Sequence, residues 1–137
     1  MTEDQKTLIR SSFAQIAPNA QAVAALFYER LFVLDPTLRP LFKGDMEEQG
    51  RKLMGMIGVA VANLDRLDAV VPAIQQLGAR HAGYGVPNQS YDTVGAALAW
   101  TLAQGLGPAY TAEMAAAWSD CYATLAAVMQ QGAAQAG

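Results

Sequence analysis

Basic side chains are missing from the last 57 residues of this 137-residue sequence, where nothing after Arg80 is Lys or Arg. The whole chain carries 9 Lys and Arg against 12 Asp and Glu, a net charge of −3. Without a basic stripe to neutralise phosphates, nucleic acid is excluded as a partner, and an anionic membrane surface with it. Cysteine and histidine are each present once, as Cys121 and His81. That excludes an internal disulfide, a CxxC or HExxH motif and a zinc site built by protein ligands alone. Long hydrophobic runs are lacking too. The uncharged stretches 93–112 and 121–137 are broken by Gly95, Gly105, Gly107 and Pro108, or are too polar and short to span a bilayer. The opening Met1-Thr2-Glu3-Asp4 is acidic and polar, the reverse of a signal peptide, so the expectation is a soluble cytoplasmic protein.

What is present is apolar. Hydrophobic residues make up 53% and charged residues 15% of the chain, which excludes disorder and leaves more apolar surface than so short a chain needs for its own core. The apolar positions recur with helical spacing in an alphabet of Ala, Leu, Met and Gln. Thr2 with Gln5 forms a capping box opening a helix that carries Leu8, Phe13 and Ile16. Pro18-Asn19 ends it and begins a second, with Val23, Phe27 and Leu31. Asp35-Pro36 opens a short turn to Phe42. Asp45 caps a long helix to Leu64, and a further helix ends near His81, stopped by Gly83 and Gly85. Pro87-Asn88 starts the next, and Thr111 caps the last, with Met114, Trp118 and Cys121. The expectation is all-α, about seven helices in one domain over 1–137, with a frayed tail at 132–137.

The single histidine is the most informative residue. His81 follows Ile74, Leu77 and Gly78 at the end of its helix, with glycines beyond. An imidazole held there is able to point one nitrogen into a pocket while the other bonds a backbone carbonyl, as a metal ligand needs. One imidazole is too few for zinc but enough for haem, whose macrocycle supplies the other four donors.

The sequence then shows FYERLF at 27–32, DPTLRPLF at 35–42, Gln49, LGARHAGYGV at 77–86, SYDTVG at 90–95 and Ala117-Trp118. From Tyr28 to Phe42, Gln49 and His81 the steps are 14, 7 and 32 residues. In this ordered set the chain resembles the globin family, in particular single-domain bacterial haemoglobins and the haem domain of flavohaemoglobins, over essentially its whole length. The resemblance implies a globin fold around haem b (iron protoporphyrin IX). It makes His81 the proximal iron ligand, Phe42 the aromatic wedged against the macrocycle, and Tyr28 and Gln49 the distal polar pair. A phenol and an amide NH₂ are donors suited to a gas that gathers negative charge. Each such bond is worth roughly 1–3 kcal/mol, about 5- to 150-fold in retention.

Leu53, one turn past Gln49, and Ile57 beyond it extend the distal stripe. Leu77 lies one turn before His81, and Val86, Tyr91 and Val94 match proximal lining positions. Lys43, Lys52 and Arg80 are candidates to meet the haem propionates. One position departs from the flavohaemoglobin pattern: Ala133 stands where those proteins carry a glutamate beside the proximal histidine, which argues against strongly activating chemistry. There is also no GxGxxG, so no flavin or nicotinamide domain is expected. The functional expectation is therefore reversible binding of O₂, with CO and NO as further ligands, by a monomer or homodimer. The alternatives are a nitric oxide dioxygenase working with a separate reductase, and a haem-free helical interaction domain.

Overall fold

The computed structural model describes residues 2–42, 44–83 and 90–136, and at 81–83, 133, 135 and 136 the backbone alone. Among them are six α-helices: α1 (Glu3–Ile16), α2 (Ala20–Leu34), α3 (Met46–Ala62), α4 (Leu67–Gly83), α5 (Ser90–Leu106) and α6 (Ala112–Ala136). Three short 3-10 turns at Ala17–Asn19, Pro36–Leu41 and Gly107–Ala109 join them. The protein is all-helical, and the expected count of about seven helices becomes six because the turn before Phe42 is 3-10. Pro40 lies inside that turn and has no N–H to give an α-helical ladder.

Local chemistry sets several boundaries. The Thr2 hydroxyl accepts from Gln5 N–H while the Gln5 side chain accepts from Thr2 N–H, closing the predicted capping box. The Asp45 carboxylate accepts from Glu47 N–H at 2.9 Å, and the Thr111 hydroxyl from Met114 N–H at 3.2 Å. The predicted start at Pro87-Asn88 lies outside the described residues. Helix α3 stops two residues short of Leu64, because the Asn63 side chain donates to the Val59 carbonyl at 2.8 Å and competes with the ladder. At the other end of the chain α6 stays helical past Gly132 to Ala136, where a frayed tail was expected, because Gly132 is buried against the Gln75 backbone of α4.

The core has two parts. The larger joins α1, α2, α3, α5 and α6 through residues such as Ile9, Ala24, Met54, Leu102 and Trp118. At its centre the Trp118 indole N–H donates to the Ser12 hydroxyl at 2.8 Å, and that hydroxyl donates to the Leu8 carbonyl at 2.7 Å. Ser12→Ala is expected to strand the buried indole N–H and to lower unfolding free energy by about 1–3 kcal/mol, measured by denaturant titration. The smaller cluster is built on Phe27, Tyr28, Leu31, Leu38 and Ala97. It lies between α2 and α5 and positions the site. Among the described residues no helix is long and apolar enough to cross a membrane.

Candidate functional site

Aromatic side chains at helical spacing build the first wall. Tyr28 and Phe32 stand one turn apart on α2, and Phe42 follows the 3-10 turn. The Tyr28 ring meets Phe27 edge-on at 5.2 Å and Phe42 edge-on at 5.2 Å, and it stacks on Phe32 at 6.1 Å. Such pairs favour one ring placement over others. The Arg39 guanidinium lies 5.4 Å from the Phe32 centroid and covers its outer face. Burial pushes the Tyr28 phenol up to about 12, so the hydroxyl keeps its proton.

Helix α3 supplies the opposite side. Gly50 is buried against Ala24 of α2, and this close crossing brings the Tyr28 hydroxyl within 3.3 Å of the Gln49 backbone carbonyl, to which it donates. Gln49 itself is half-buried. Leu53, one turn on, packs against the aromatic cluster, as does Val94 from α5. Ile57 goes elsewhere: it packs on the larger core.

Tyr91 is buried at the start of α5, its phenol pushed up by burial, and its carbonyl accepts from the Tyr122 hydroxyl of α6 at 2.6 Å. On α4, Leu77 is half-buried and Arg80 exposed, and Lys52 on α3 is exposed. The backbone of His81 sits in the last turn of α4. Its side chain, and Lys43 and Val86 altogether, lie outside what the structure describes.

Four residues of the site were missed in the sequence. Phe32, Leu41, Met46 and Leu98 fringe the aromatic cluster. Phe32 is four residues past Tyr28 and Leu98 four past Val94, so one helical turn was the available signal. Leu98 touches both core clusters, which its spacing does not announce.

Helices packed around an aromatic wall with a partly exposed apolar fringe form an all-helical fold that presents an apolar face suited to a flat apolar group. The globin family model matches residues 25–129. The chain belongs to the globin family. Neuroglobins of Dissostichus mawsoni and Danio rerio are each 34% identical to it over 151 aligned positions, covering 100% of this chain and 95% of theirs. Among solved structures it is similar to an engineered carbene transferase built on a proposed nitric oxide dioxygenase of Rhodothermus marinus, at 28% identity and a TM-score of 0.88, covering 98% of this chain and 94% of that one. A bacterial globin of Campylobacter jejuni shares the fold, with a TM-score of 0.86 at 23% identity over 98% and 97% of the two chains. The protein is thus a haem-binding globin, with relatives in animals as well as bacteria.

Its described residues fit that cofactor. Phe42, Leu53, Val94 and Leu98 are hydrophobic yet only partly buried, and they fringe one cluster drawn from α3, α5 and the turn before α3. A macrocycle laid on them would remove this remaining apolar surface from water.

Proposed function

We propose that the protein binds O₂ reversibly at a haem b held by His81, with Tyr28 and Gln49 as hydrogen-bond donors to the gas. Haem, when bound, supplies a ferrous iron with a coordination position for a diatomic ligand. The observation that carries the reading is the Tyr28 hydroxyl: buried, protonated to about pH 12, fixed by three phenylalanines and set beside Gln49.

Each residue has a separate task. The aromatic rings hold the phenol in place and keep water from it. The hydroxyl spends its proton on a 3.3 Å bond to the Gln49 carbonyl, long for an O–H donor, and so is available to a stronger acceptor. The Gln49 amide offers a second donor. A phenol and an amide are poor ligands for ferrous iron, which leaves the gas position open. Leu53, Leu77, Tyr91, Val94 and Val86 complete the lining, while Ile57, expected there from its spacing, packs on the larger core. Lys43, Lys52 and Arg80 meet the propionates.

Purified protein given haemin and dithionite should show a five-coordinate ferrous spectrum that converts fully with CO. Absence of a Soret band, or a six-coordinate spectrum without added ligand, would sink the reading. Tyr28→Phe should raise the O₂ dissociation rate about 5- to 150-fold, from loss of a bond worth roughly 1–3 kcal/mol. Stopped-flow displacement of O₂ by CO measures this. In the parent protein the rate should stay flat with pH until the phenol titrates near 12. Because the folded phenol titrates above its ordinary value of 10, the stability it lends is complete below about pH 10 and is lost as pH rises toward 12.

The likeness to the Rhodothermus protein favours a second reading, nitric oxide dioxygenase activity with a separate reductase. Sustained NO consumption with stoichiometric nitrate, supported by a cell extract that re-reduces the ferric protein, would replace the carrier reading.

A further inference from the structure

Helix α4 carries His81 in its last turn and rests chiefly on α6. The contact is backbone against backbone. Gly78 on α4 lies against the Met129 carbonyl of α6, and Gly132 on α6 lies against the Gln75 carbonyl of α4. A Cβ at either glycine would fall inside a carbonyl oxygen, not beside a side chain able to swing away. Only glycine permits helices this close. The arrangement is reciprocal: each helix gives one glycine and one carbonyl, three residues apart, in antiparallel register. Two such stops fix both the separation of the helices and their slide along each other.

Gly78 is three residues before His81, about 4.5 Å along the helix axis. Pro72, the interruption in the α4 ladder, lies upstream of Gln75, so the segment from the contact to His81 is unbroken helix. A shift at Gly78 is therefore delivered to His81 almost undiminished. We propose that Gly78 and Gly132 are positioning residues: they set how closely α4 sits on α6, and through it the distance at which His81 meets the haem iron. This rests on the reading of His81 as the iron ligand.

The test uses haem-loaded Gly78→Ala and Gly132→Ala, with Gly55→Ala as control. Gly55 is exposed on α3 and its Cβ would meet open space. The readouts are the ferrous iron–histidine stretching band by resonance Raman spectroscopy and the CO association rate. With one histidine in the chain, that band has one source. Both contact variants should move the band in the same direction and change CO association by about tenfold, as sub-ångström errors in ligand placement do. The control should move neither.

An unmoved band and rate in folded Gly78→Ala and Gly132→Ala overturns the proposal. If a variant loses haem, circular dichroism of the apo form and haem uptake with free imidazole decide. Uptake restored on an intact helical fold supports a ligand held out of reach, whereas loss of the cooperative helical melt shows that the glycines only hold the fold. His81→Gly runs in parallel. A band that persists there refutes His81 as the ligand, while a band lost there but unmoved in the glycine variants refutes the positioning role alone.

Discussion

His81→Gly is expected to abolish the iron–histidine band and to weaken haem binding by more than roughly 100-fold. Loss of a group that merely orients a metal ligand already costs roughly 10- to 100-fold, and this substitution removes the proposed ligand itself. The chain has no second histidine. Cys121 is buried in the larger core with its thiol pushed up to about 11, away from the aromatic wall. Met54 is buried in that same core, and Lys52 is exposed. Free imidazole should refill the space left by the ring and restore a five-coordinate ferrous spectrum. Haem dissociation to an apo-globin acceptor measures the first effect, and imidazole titration the second. An unchanged spectrum in His81→Gly would mean another ligand and would redirect the whole proximal assignment.

What the sequence disclosed and what it withheld divide along the range of the interactions. The capping box at Thr2 and Gln5 and the Asp45 cap were legible because each is closed within a few residues. The aromatic wall was legible in part, since Tyr28 and Phe42 lie in recognisable segments, but Phe32 was passed over although it completes the same stripe. The relation between Tyr28 and Gln49 took a form that spacing does not give. Their partnership in this structure runs through the Gln49 backbone carbonyl, fixed by how α2 crosses α3. Leu53 and Ile57 were read as one stripe, yet they serve different clusters. Four residues turn a helix by about 40° beyond a full revolution and advance it about 6 Å, enough to change neighbours when two clusters lie side by side. Gly78 and Gly132 gave no signal at all. A glycine in an apolar helical run reads as a weakness until the opposing backbone is in place.

Gly50→Val should cost about 1–3 kcal/mol of stability, the usual penalty for overfilling a packed contact. A Cβ at Gly50 would lie 2.8 Å from the Ala24 Cβ, and Ala24 is buried, with no rotamer by which to yield. The helices must part. Tyr28 stands one turn beyond Ala24, and Gln49 precedes Gly50, so the same separation is imposed on the Tyr28 hydroxyl and the Gln49 carbonyl. That bond is already 3.3 Å long, and a few tenths of an ångström more would break it. The O₂ dissociation rate should therefore rise with the loss of stability. Gly50→Ala separates the two causes. In an open helix the change would stabilise by about 1 kcal/mol through propensity alone. Here part or all of that gain should be lost with Ala24 present and recovered with Ala24→Gly, leaving a coupling of about 0.5–3 kcal/mol in the double-mutant cycle. Denaturant titration of the four proteins gives the coupling. A value near zero would show that α2 and α3 absorb the extra methyl without moving, and the placement of Tyr28 over Gln49 would then need another cause.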